Sequence, residues 1–229
     1  MNEPLQIAID GPVASGKGDI ASRLAKKLHL LYIYTGAMYR ALALACIEQG
    51  ISCNDEEKVV RLLATLSIDI VPPQEHDAYP YRVLLNGNDV SARIQKQDAA
   101  QGASDVGVIS AVRQWMVARQ KELARGMSVV MEGRDIGLRV LPHAQLKIFL
   151  TASSEVRAKR RFLQWQEKGI TKTFEETLID TKIRDEQDTT READPLKKLS
   201  DSWELDTTTM TQDEVVNAII GELKKRKLL

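Results

Sequence analysis

The apolar positions of the first fifty residues follow two different periods. Residues 5–9 form a short continuous apolar run with the branched side chains of a buried strand. After the next loop, Ile20, Leu24 and Leu28 recur at four-residue steps, which is the spacing of one helix face. Residues 30–34 repeat the strand pattern, and a helical pattern follows through Ile47. Strand and helix in alternation predict an α/β fold with a parallel sheet.

The second half of the chain continues this alternation. Further short apolar strands are predicted at residues 128–132, 147–151 and 203–205. Amphipathic helices are predicted at 113–126 and at 213–225. Two more lie between them: one runs from the basic residues near 157 to about Lys168, and the other runs from 173 through 183 and on to 191. The pattern predicts a three-layer fold with a five-stranded parallel sheet.

The middle of the chain has the period of an antiparallel sheet instead. Residues 67–71 and 81–85 alternate, and Asn86-Gly87 after the second run is a hairpin signal. Residues 99–112 have a small-residue helical pattern that carries Ser104. We therefore predict an inserted antiparallel subdomain at 64–112, with the core formed by 1–63 and 113–229.

A glycine-bracketed loop, G-x-x-x-x-G-K, joins the first strand to the first helix. Its glycines permit backbone angles that turn N–H groups inward around an anion, and the helix adds the positive end of its dipole. A lysine at the end of the loop supplies a mobile charge for β- and γ-phosphates. The motif predicts a site for a nucleoside triphosphate, built from Gly11, Pro12, Val13, Ala14, Ser15, Gly16, Lys17, Gly18 and Asp19.

The position after Lys17 departs from the usual motif. A serine or threonine there normally binds magnesium, whereas this chain has Gly18 followed by Asp19. G-K-G followed by a hydroxyl residue is the form found in nucleoside monophosphate kinases, and Asp19 stands in the place of that hydroxyl. A carboxylate can itself bind Mg²⁺, so Asp19 is a candidate metal ligand.

Other chemistry-bearing residues follow the predicted strands, whose carboxyl ends meet at the edge where such sheets bind ligands. Thr35 and Arg40 follow the second strand of the predicted parallel sheet. Glu132 ends the third strand of that sheet and is a second candidate ligand for magnesium. Arg134 is placed to bind a phosphate in two-pronged fashion. The alternative is that Arg134 and Asp135 pair with each other in a surface turn.

Two charged groups of the second half have more than one interpretation. Arg157, Lys159, Arg160 and Arg161 suggest a basic lid over the phosphate loop at about 154–170, and a nucleic-acid patch is the less favoured alternative. Positions 184, 188 and 191 fall on one helical face. That face is either a salt-bridge ladder or a contact surface for a charged, hydroxylated ligand.

Composition restricts the class of protein. Thirty-two Lys and Arg balance thirty-two Asp and Glu, so no net field favours nucleic acid or an anionic membrane. Cys46 and Cys53 lack the spacing of a metal site and suggest reduced thiols in the cytoplasm. The first residues show no signal peptide, and no apolar stretch has the length of a membrane span. We expect a cytoplasmic monomer that binds neither nucleic acid nor membrane.

The chain resembles the bacterial cytidylate kinases, which phosphorylate CMP and dCMP with ATP and Mg²⁺. The resemblance runs nearly end to end and includes an enlarged insert. Beyond the phosphate loop, it rests on T-G-A-M-Y-R at 35–40, E-G-R-D at 132–135, K-I-F-L-T-A-S at 147–153 with R-A-K-R-R at 157–161, and R-D-x-x-D-x-x-R at 184–191.

This resemblance implies a role for each matching position. Ser104, Arg113 and Asp135 would read the cytosine base. The transferring phosphates would be bound by Arg40, Arg134 and Arg191, with Lys17, Arg134 and Arg191 as catalytic residues. ATP would also contact Arg157 and Arg161, and the acceptor would contact Thr35, Arg184 and Asp188.

Two further departures accompany Asp19. Gln95 stands where the family usually has arginine, and Arg139 stands where small or apolar residues are usual. Two other functions stay open: a kinase for another nucleoside monophosphate or a metabolite, and a P-loop regulator that binds nucleotide without transferring phosphate. Asp19 is the feature that supports the regulator.

Overall fold

The computed structural model describes residues 3–167, 169–191 and 193–229. The strands are β1 (Gln6–Asp10), β2 (Leu31–Tyr34), β3 (Ile68–Val71), β4 (Arg82–Leu85), β5 (Asn88–Asp89), β6 (Val129–Gly133), β7 (Leu146–Thr151) and β8 (Trp203–Asp206). The helices are α1 (Lys17–Leu28), α2 (Thr35–Glu48), α3 (Glu56–Leu63), α4 (Gln97–Val106), α5 (Ser110–Ala124), α6 (Ser154–Glu167), α7 (Phe174–Thr190) and α8 (Gln212–Lys225). Met1 and Asn2 of the predicted core and Lys168 at the predicted end of a helix lie outside the described residues.

A parallel sheet with the strand order β2-β6-β1-β7-β8 forms the centre of the fold. Each neighbouring pair of strands is parallel, and β1 lies between β6 and β7. Ile7 and Ile9 of β1 and Ile33 of β2 are fully buried, as expected for strands covered by helices on both faces. The predicted α/β class and five-stranded parallel sheet are confirmed. Within the described ranges, no helix has the length and apolar content needed to cross a bilayer.

A second sheet with the order β3-β4-β5 is antiparallel throughout. Asn86 and Gly87 connect β4 to β5, with φ angles of 51° and 82°. Positive φ at both positions is what a tight hairpin requires. The predicted antiparallel sheet is therefore confirmed, and the bounds of the inserted unit stay a prediction.

The predicted helix over residues 99–112 is confirmed for 99–106, but its end at 112 and the start of the next helix at Arg113 are wrong. The helix α4 ends at Val106, and α5 begins at Ser110, three residues before the predicted start at Arg113. Between them the chain turns at Gly107 and becomes extended at Ile109, which has φ −73° and ψ 118°. The turn has a useful result, because it places Arg113 in the first turns of α5 beside the end of the helix that carries Ser104.

Asp10 connects the phosphate loop to the segment after β6. It is the last residue of β1, and its carboxylate accepts hydrogen bonds of 2.8 Å from the backbone N–H groups of Ile136 and Gly137. Arg134 and Asp135 directly precede those two residues. Burial raises the pKa of Asp10 to about 6, against the opposing effect of its two N–H donors. One carboxylate thus fixes the relative position of two functional segments.

The close approach of Gly11 to β7 gives the first prediction. A Cβ at position 11 would lie 2.0 Å from the carbonyl oxygen of Leu150. Gly11→Ala should therefore lower the free energy of unfolding by about 2 kcal/mol or more, as overpacking of a core does. Urea denaturation measures this effect.

Gly221→Ala on α8 is the matched control, since the added methyl group would meet no heavy atom within 4 Å apart from its chain neighbours and the backbone of its own helix. A helical Gly→Ala change should stabilise by about 0.5–1 kcal/mol. A similar effect of the two substitutions on stability would contradict the assigned contact at Gly11.

Asp10→Asn gives the second prediction, which concerns pH. An asparagine keeps one acceptor oxygen but turns its NH₂ group toward the other N–H donor, so the variant should be less stable. A carboxyl whose pKa is higher in the folded state than in the unfolded state stabilises most at low pH. The stability of the unmutated protein relative to Asp10→Asn should thus fall as pH rises from about 4 to 6, by up to ~3 kcal/mol. Denaturant titrations at pH 4, 5, 6 and 7.5 test this, and a constant difference would refute it.

Candidate active site

A cleft of about 1760 Å³ opens at the carboxyl edge of the parallel sheet. The phosphate loop, the first turns of α2, the segment after β6 and parts of α4, α6 and α7 line it. Among its described lining residues, Lys and Arg outnumber Asp and Glu ten to six. A cleft with this excess of positive charge is suited to phosphorylated ligands.

The phosphate loop folds around its own lysine. Gly16 has a φ of 91° directly before α1 begins, and Ala14 has a φ of 57°. Lys17 Nζ donates to the carbonyl oxygen of Pro12 at 2.7 Å and to Ser15 Oγ at 3.3 Å. Burial and the nearby Arg134 lower the pKa of Lys17 to about 7. A bound phosphate would offset both effects, so the loop is built for an anion.

Glu132 lies beside the loop at the end of β6. Its carboxylate is buried, and a Cβ on Gly18 would lie 3.7 Å from Glu132 Oε1. Thr35 Oγ1 donates to the backbone carbonyl of Glu132 at 2.8 Å and so fixes the start of α2 to β6. Burial raises the pKa of Glu132, while Lys17 and Arg134 act to lower it.

Asp19 lies on the exposed side of α1. Its Oδ2 is 3.5 Å from Nε2 of Gln212 at the start of α8, and its charge also acts to raise the pKa of Glu132. No group of three or more His, Cys, Asp and Glu that could hold a metal occurs in the described part of the chain. Asp19 and Glu132 therefore stay predicted as metal ligands, as a pair of oxygen donors that a bound nucleotide would have to complete.

Asp188 organises the arginines on the opposite side of the cleft. It accepts from Arg134 Nε at 2.6 Å and lies 3.6 Å from Arg191 Nη1. Burial acts to raise its pKa, but Arg134, Arg184 and Arg191 outweigh this and lower it. Arg184, Asp188 and Arg191 all line the cleft. Since Asp188 bonds across to another segment, this helical face contacts the cleft and is more than a ladder along α7.

Arg113 and Asp135 form a buried pair at another part of the cleft. Arg113 Nη2 donates to Asp135 Oδ2 at 2.6 Å, and the two residues are 3% and 9% exposed. Burial raises the pKa of Asp135, and Arg113 opposes this. The alternative in which Arg134 and Asp135 pair in a surface turn is wrong, because each bonds to a different element. Ser104 lines the same cleft, with its hydroxyl 3.5 Å from the carbonyl of Ala100.

The remaining candidate arginines differ in their placement. Arg40 lines the cleft and donates to the carbonyl of Ile94 at 3.1 Å. Arg161 also lines it, and its guanidinium lies 5.1 Å from the ring centroid of Trp165, which Lys172 Nζ approaches at 4.5 Å. Burial and Arg40 lower the pKa of Arg161.

Arg157 is not brought into the cleft. It donates to the carbonyls of Ala152 and Val13 and pairs with Asp185 at 2.7 Å, so its guanidinium is engaged by protein groups. Arg160 lines the cleft in its place and donates to the carbonyls of Ser15 and Thr207. Direct contact of Arg157 with ATP stays a prediction, and the observed role of Arg157 is to brace the loop through Val13.

Sequence reasoning missed several residues that position the site. Asp10 had a usable signal, since an acid directly before the first glycine of the motif ends a core strand. Asp185 and Asp194 had none, because their arginine partners are 28 and 81 residues distant in sequence. Gln95 Nε2 donates to the hydroxyl of Tyr81 and the carbonyl of Ser91, so it stabilises the insert beside the cleft.

Together these groups suit one class of chemistry. Cationic side chains surround the end of the phosphate loop, and the buried Arg113–Asp135 ion pair lies elsewhere in the same cleft. Such a site can hold two nucleotides and stabilise charge on a phosphoryl group that passes between them. Transfer of this kind requires no side-chain nucleophile.

Comparisons with known proteins agree with this assignment. A family model described as cytidylate kinase matches residues 7–225. A cytidylate kinase of Bacillus cytotoxicus is 44% identical over 96% of this chain and 96% of its own length. One of Lactobacillus johnsonii is 42% identical over 99% of this chain and 97% of its own length. An uncharacterized protein from Eubacterium ventriosum, whose crystal structure has a TM-score of 0.52 at 14% identity over 97% of this chain and 99% of its own, shares the fold alone.

The family match covers nearly the whole chain, and the relatives are similar in length as well as in sequence. Both exceed what shared fold alone would give. The chain belongs to the cytidylate kinase family.

Proposed function

We propose that this protein transfers the γ-phosphoryl group of ATP to CMP and dCMP. The observation that carries the proposal is the buried Arg113–Asp135 pair in the cleft of the phosphate loop. Cytosine presents an amino donor at N4 beside the acceptors N3 and O2. An aspartate accepts from the amino group, and an arginine donates to the acceptors. Ser104, on the same cleft wall, is the third proposed contact of the base.

The proposed ATP site is the loop of residues 11–19, with Arg161 and Arg157 from α6. Its backbone N–H groups and Lys17 would hold the β- and γ-phosphates. The lowered pKa of Lys17 supports this. A buried ammonium group close to Arg134 is stabilised strongly when a phosphate anion binds beside it. A lid formed by about 154–170 would exclude water that would otherwise hydrolyse ATP.

The proposed acceptor site is formed by the arginines of the cleft and the residues next to them. Arg40 and Arg184 would bind the phosphate of CMP, with Thr35 and Asp188 close to its phosphate and sugar. Arg134 and Arg191 would contact the transferring group and stabilise the charge on its oxygens, so they and Lys17 are the proposed catalytic residues. Their present partner Asp188 keeps them in place before the substrates bind.

Mg²⁺ fits the oxygen donors at the entrance to the loop. Magnesium is typically bound by one or two carboxylates together with substrate phosphates and water. Asp19 and Glu132 would supply the carboxylates, because both lie beside the end of the loop: Asp19 is in the first turn of α1, and Glu132 Oε1 is 3.7 Å from the position of a Cβ on Gly18. Bound there, the ion would neutralise part of the triphosphate charge.

The organisation of the chain follows from this proposal. Residues 64–112 would form an inserted unit that binds the acceptor nucleotide, and residues 1–63 and 113–229 would form the core. The antiparallel sheet and Arg40, which bonds to Ile94 of this unit, support that division. That the enzyme is a monomer in the cytoplasm stays a prediction, which sedimentation and cell fractionation would check.

An acceptor assay tests the function directly. Coupled assays with ATP and each of AMP, CMP, dCMP and UMP should give the highest kcat/KM for CMP and dCMP. Asp135→Asn should narrow the preference for CMP over UMP, because an amide can donate where the carboxylate can only accept. Ser104→Ala is the comparison variant: it removes another proposed contact of the base but adds no donor at the site of Asp135, so the preference for CMP over UMP should narrow less.

Two results would oppose the proposal. Faster turnover of UMP or AMP than of CMP would favour a kinase for another acceptor. Nucleotide binding without transfer to any of the four would favour the regulator, whose support is the negative charge of Asp19.

Asp19→Thr gives a further prediction, on the metal. The exposed carboxylate of Asp19 would repel the phosphates of ATP when no metal is bound, and Mg²⁺ should cancel most of this repulsion. The variant should therefore bind ATP more tightly at low magnesium and nearly equally at high magnesium. Calorimetric titrations of ATP across a range of Mg²⁺ concentrations measure this.

Gln212→Ala is the matched control, because it removes the contact of Asp19 with α8 and keeps the carboxylate. It should retain the magnesium dependence of the unmutated protein. Parallel curves for the unmutated protein and Asp19→Thr would mean that Asp19 acts only at the start of the helix.

A further inference from the structure

Asp194 brings three arginines together in the loop between α7 and β8. Its Oδ2 accepts from Arg113 Nε at 3.3 Å, and its Oδ1 forms an ion pair with Arg139 Nε at 2.9 Å. Its backbone carbonyl accepts from Arg191 Nε at 2.9 Å and from Arg191 Nη2 at 2.5 Å. Two of these arginines, Arg113 and Arg191, belong to the proposed substrate contacts.

The side chain of Arg113 is held from three sides. Besides Asp194 at its Nε edge, it donates to Asp135 at 2.6 Å and to the carbonyl of Gly107 at 3.4 Å. The Arg113 side chain is 4% exposed and that of Asp194 17% exposed, so solvent screens their attraction little.

The two acids beside Arg113 have different duties when a base is bound. Asp135 would have to direct one oxygen toward the amino group of cytosine. Its carboxylate would then interact with both Arg113 and the base. Asp194 does not line the cleft and has no such competing contact. It would therefore keep the guanidinium oriented and charge-paired while Asp135 engages the ligand.

We infer that Asp194 is a positioning residue for the acceptor nucleotide, an inference that rests on the proposed function. Its carboxylate orients Arg113 toward the base, and its carbonyl holds Arg191 near the transferring phosphate. Arg139, with a side chain 48% exposed, supports Asp194 from the solvent side. This contact also accounts for an arginine that the family resemblance left without a role.

Asp194→Asn tests the inference with little change of shape. Asp194 has a φ of 50°, a region that asparagine adopts more readily than most residues. The backbone carbonyl remains, so the contact with Arg191 is kept, while the charge-assisted bond to Arg113 is weakened. We expect the KM for CMP to rise about tenfold, with the KM for ATP and kcat within twofold of the unmutated values.

Two other variants separate positioning from general stability. Asp194→Gly removes the side chain at a backbone angle that glycine adopts freely, and it should raise the KM for CMP at least as much as Asp194→Asn. Arg139→Met keeps the Asp194–Arg113 bond and should raise the KM for CMP less than threefold. Adding Asp194→Asn to Arg113→Lys should raise the KM for CMP by far less than tenfold, because the bonded partner is already changed.

The contrary results are distinct. If Asp194→Asn and Asp194→Gly leave the KM for CMP within twofold, or raise the KM values for ATP and CMP equally, Asp194 does not position the acceptor site. These results would refute the inference while the unmutated protein still preferred CMP. If the unmutated protein preferred another acceptor, the proposed function would fail, and the inference would fail with it.

Discussion

The confinement of positive charge at the mouth of the phosphate loop governs the rest of this structure. Burial and neighbouring cations lower the pKa values of Lys17, Arg161, Arg184 and Arg191. Bringing such groups together without an anion costs free energy, and a few acids reduce that cost. The site is therefore held in a state that phosphate ligands improve, as expected for preorganised electrostatic catalysis.

The acids that stabilise the arginines around the cleft bond to arginines that are distant in sequence. Asp188 on α7 bonds to Arg134 after β6, and Asp185 on the same helix bonds to Arg157 on α6. Asp10 connects two elements in a similar way, but its donors are uncharged. From the end of β1, its carboxylate accepts hydrogen bonds from two backbone N–H groups of the segment after β6. Carboxylates thus connect α6 to α7, α7 to the segment after β6, and that segment to β1, and these bonds order the backbone segments that carry the proposed catalytic groups.

The sequence could predict what has a local pattern. The strand–loop–helix around Lys17, the parallel sheet and the hairpin at Asn86-Gly87 follow from periodicity and glycine placement, and all are present. Which side of α6 meets the cleft could not be read in this way, because Arg157 and Arg160 are equally basic. Their difference comes from Asp185 and Val13, which reach Arg157 only in the folded chain. The break after Val106 has only Gly107 as a local signal, and a single glycine also occurs inside helices, so the sequence does not distinguish the two cases.

The indole ring of Trp165 has a practical consequence. Two cations lie over the ring, with the Arg161 guanidinium at 5.1 Å and Lys172 Nζ at 4.5 Å from its centroid. Indole emission responds to nearby charge, so a movement of Arg161 toward a phosphate would change the fluorescence of this ring. The chain has two other tryptophans, Trp115 and Trp203, both outside α6. With these replaced by phenylalanine, the protein would carry its own optical reporter of the position of Arg161 on α6, free of any attached dye.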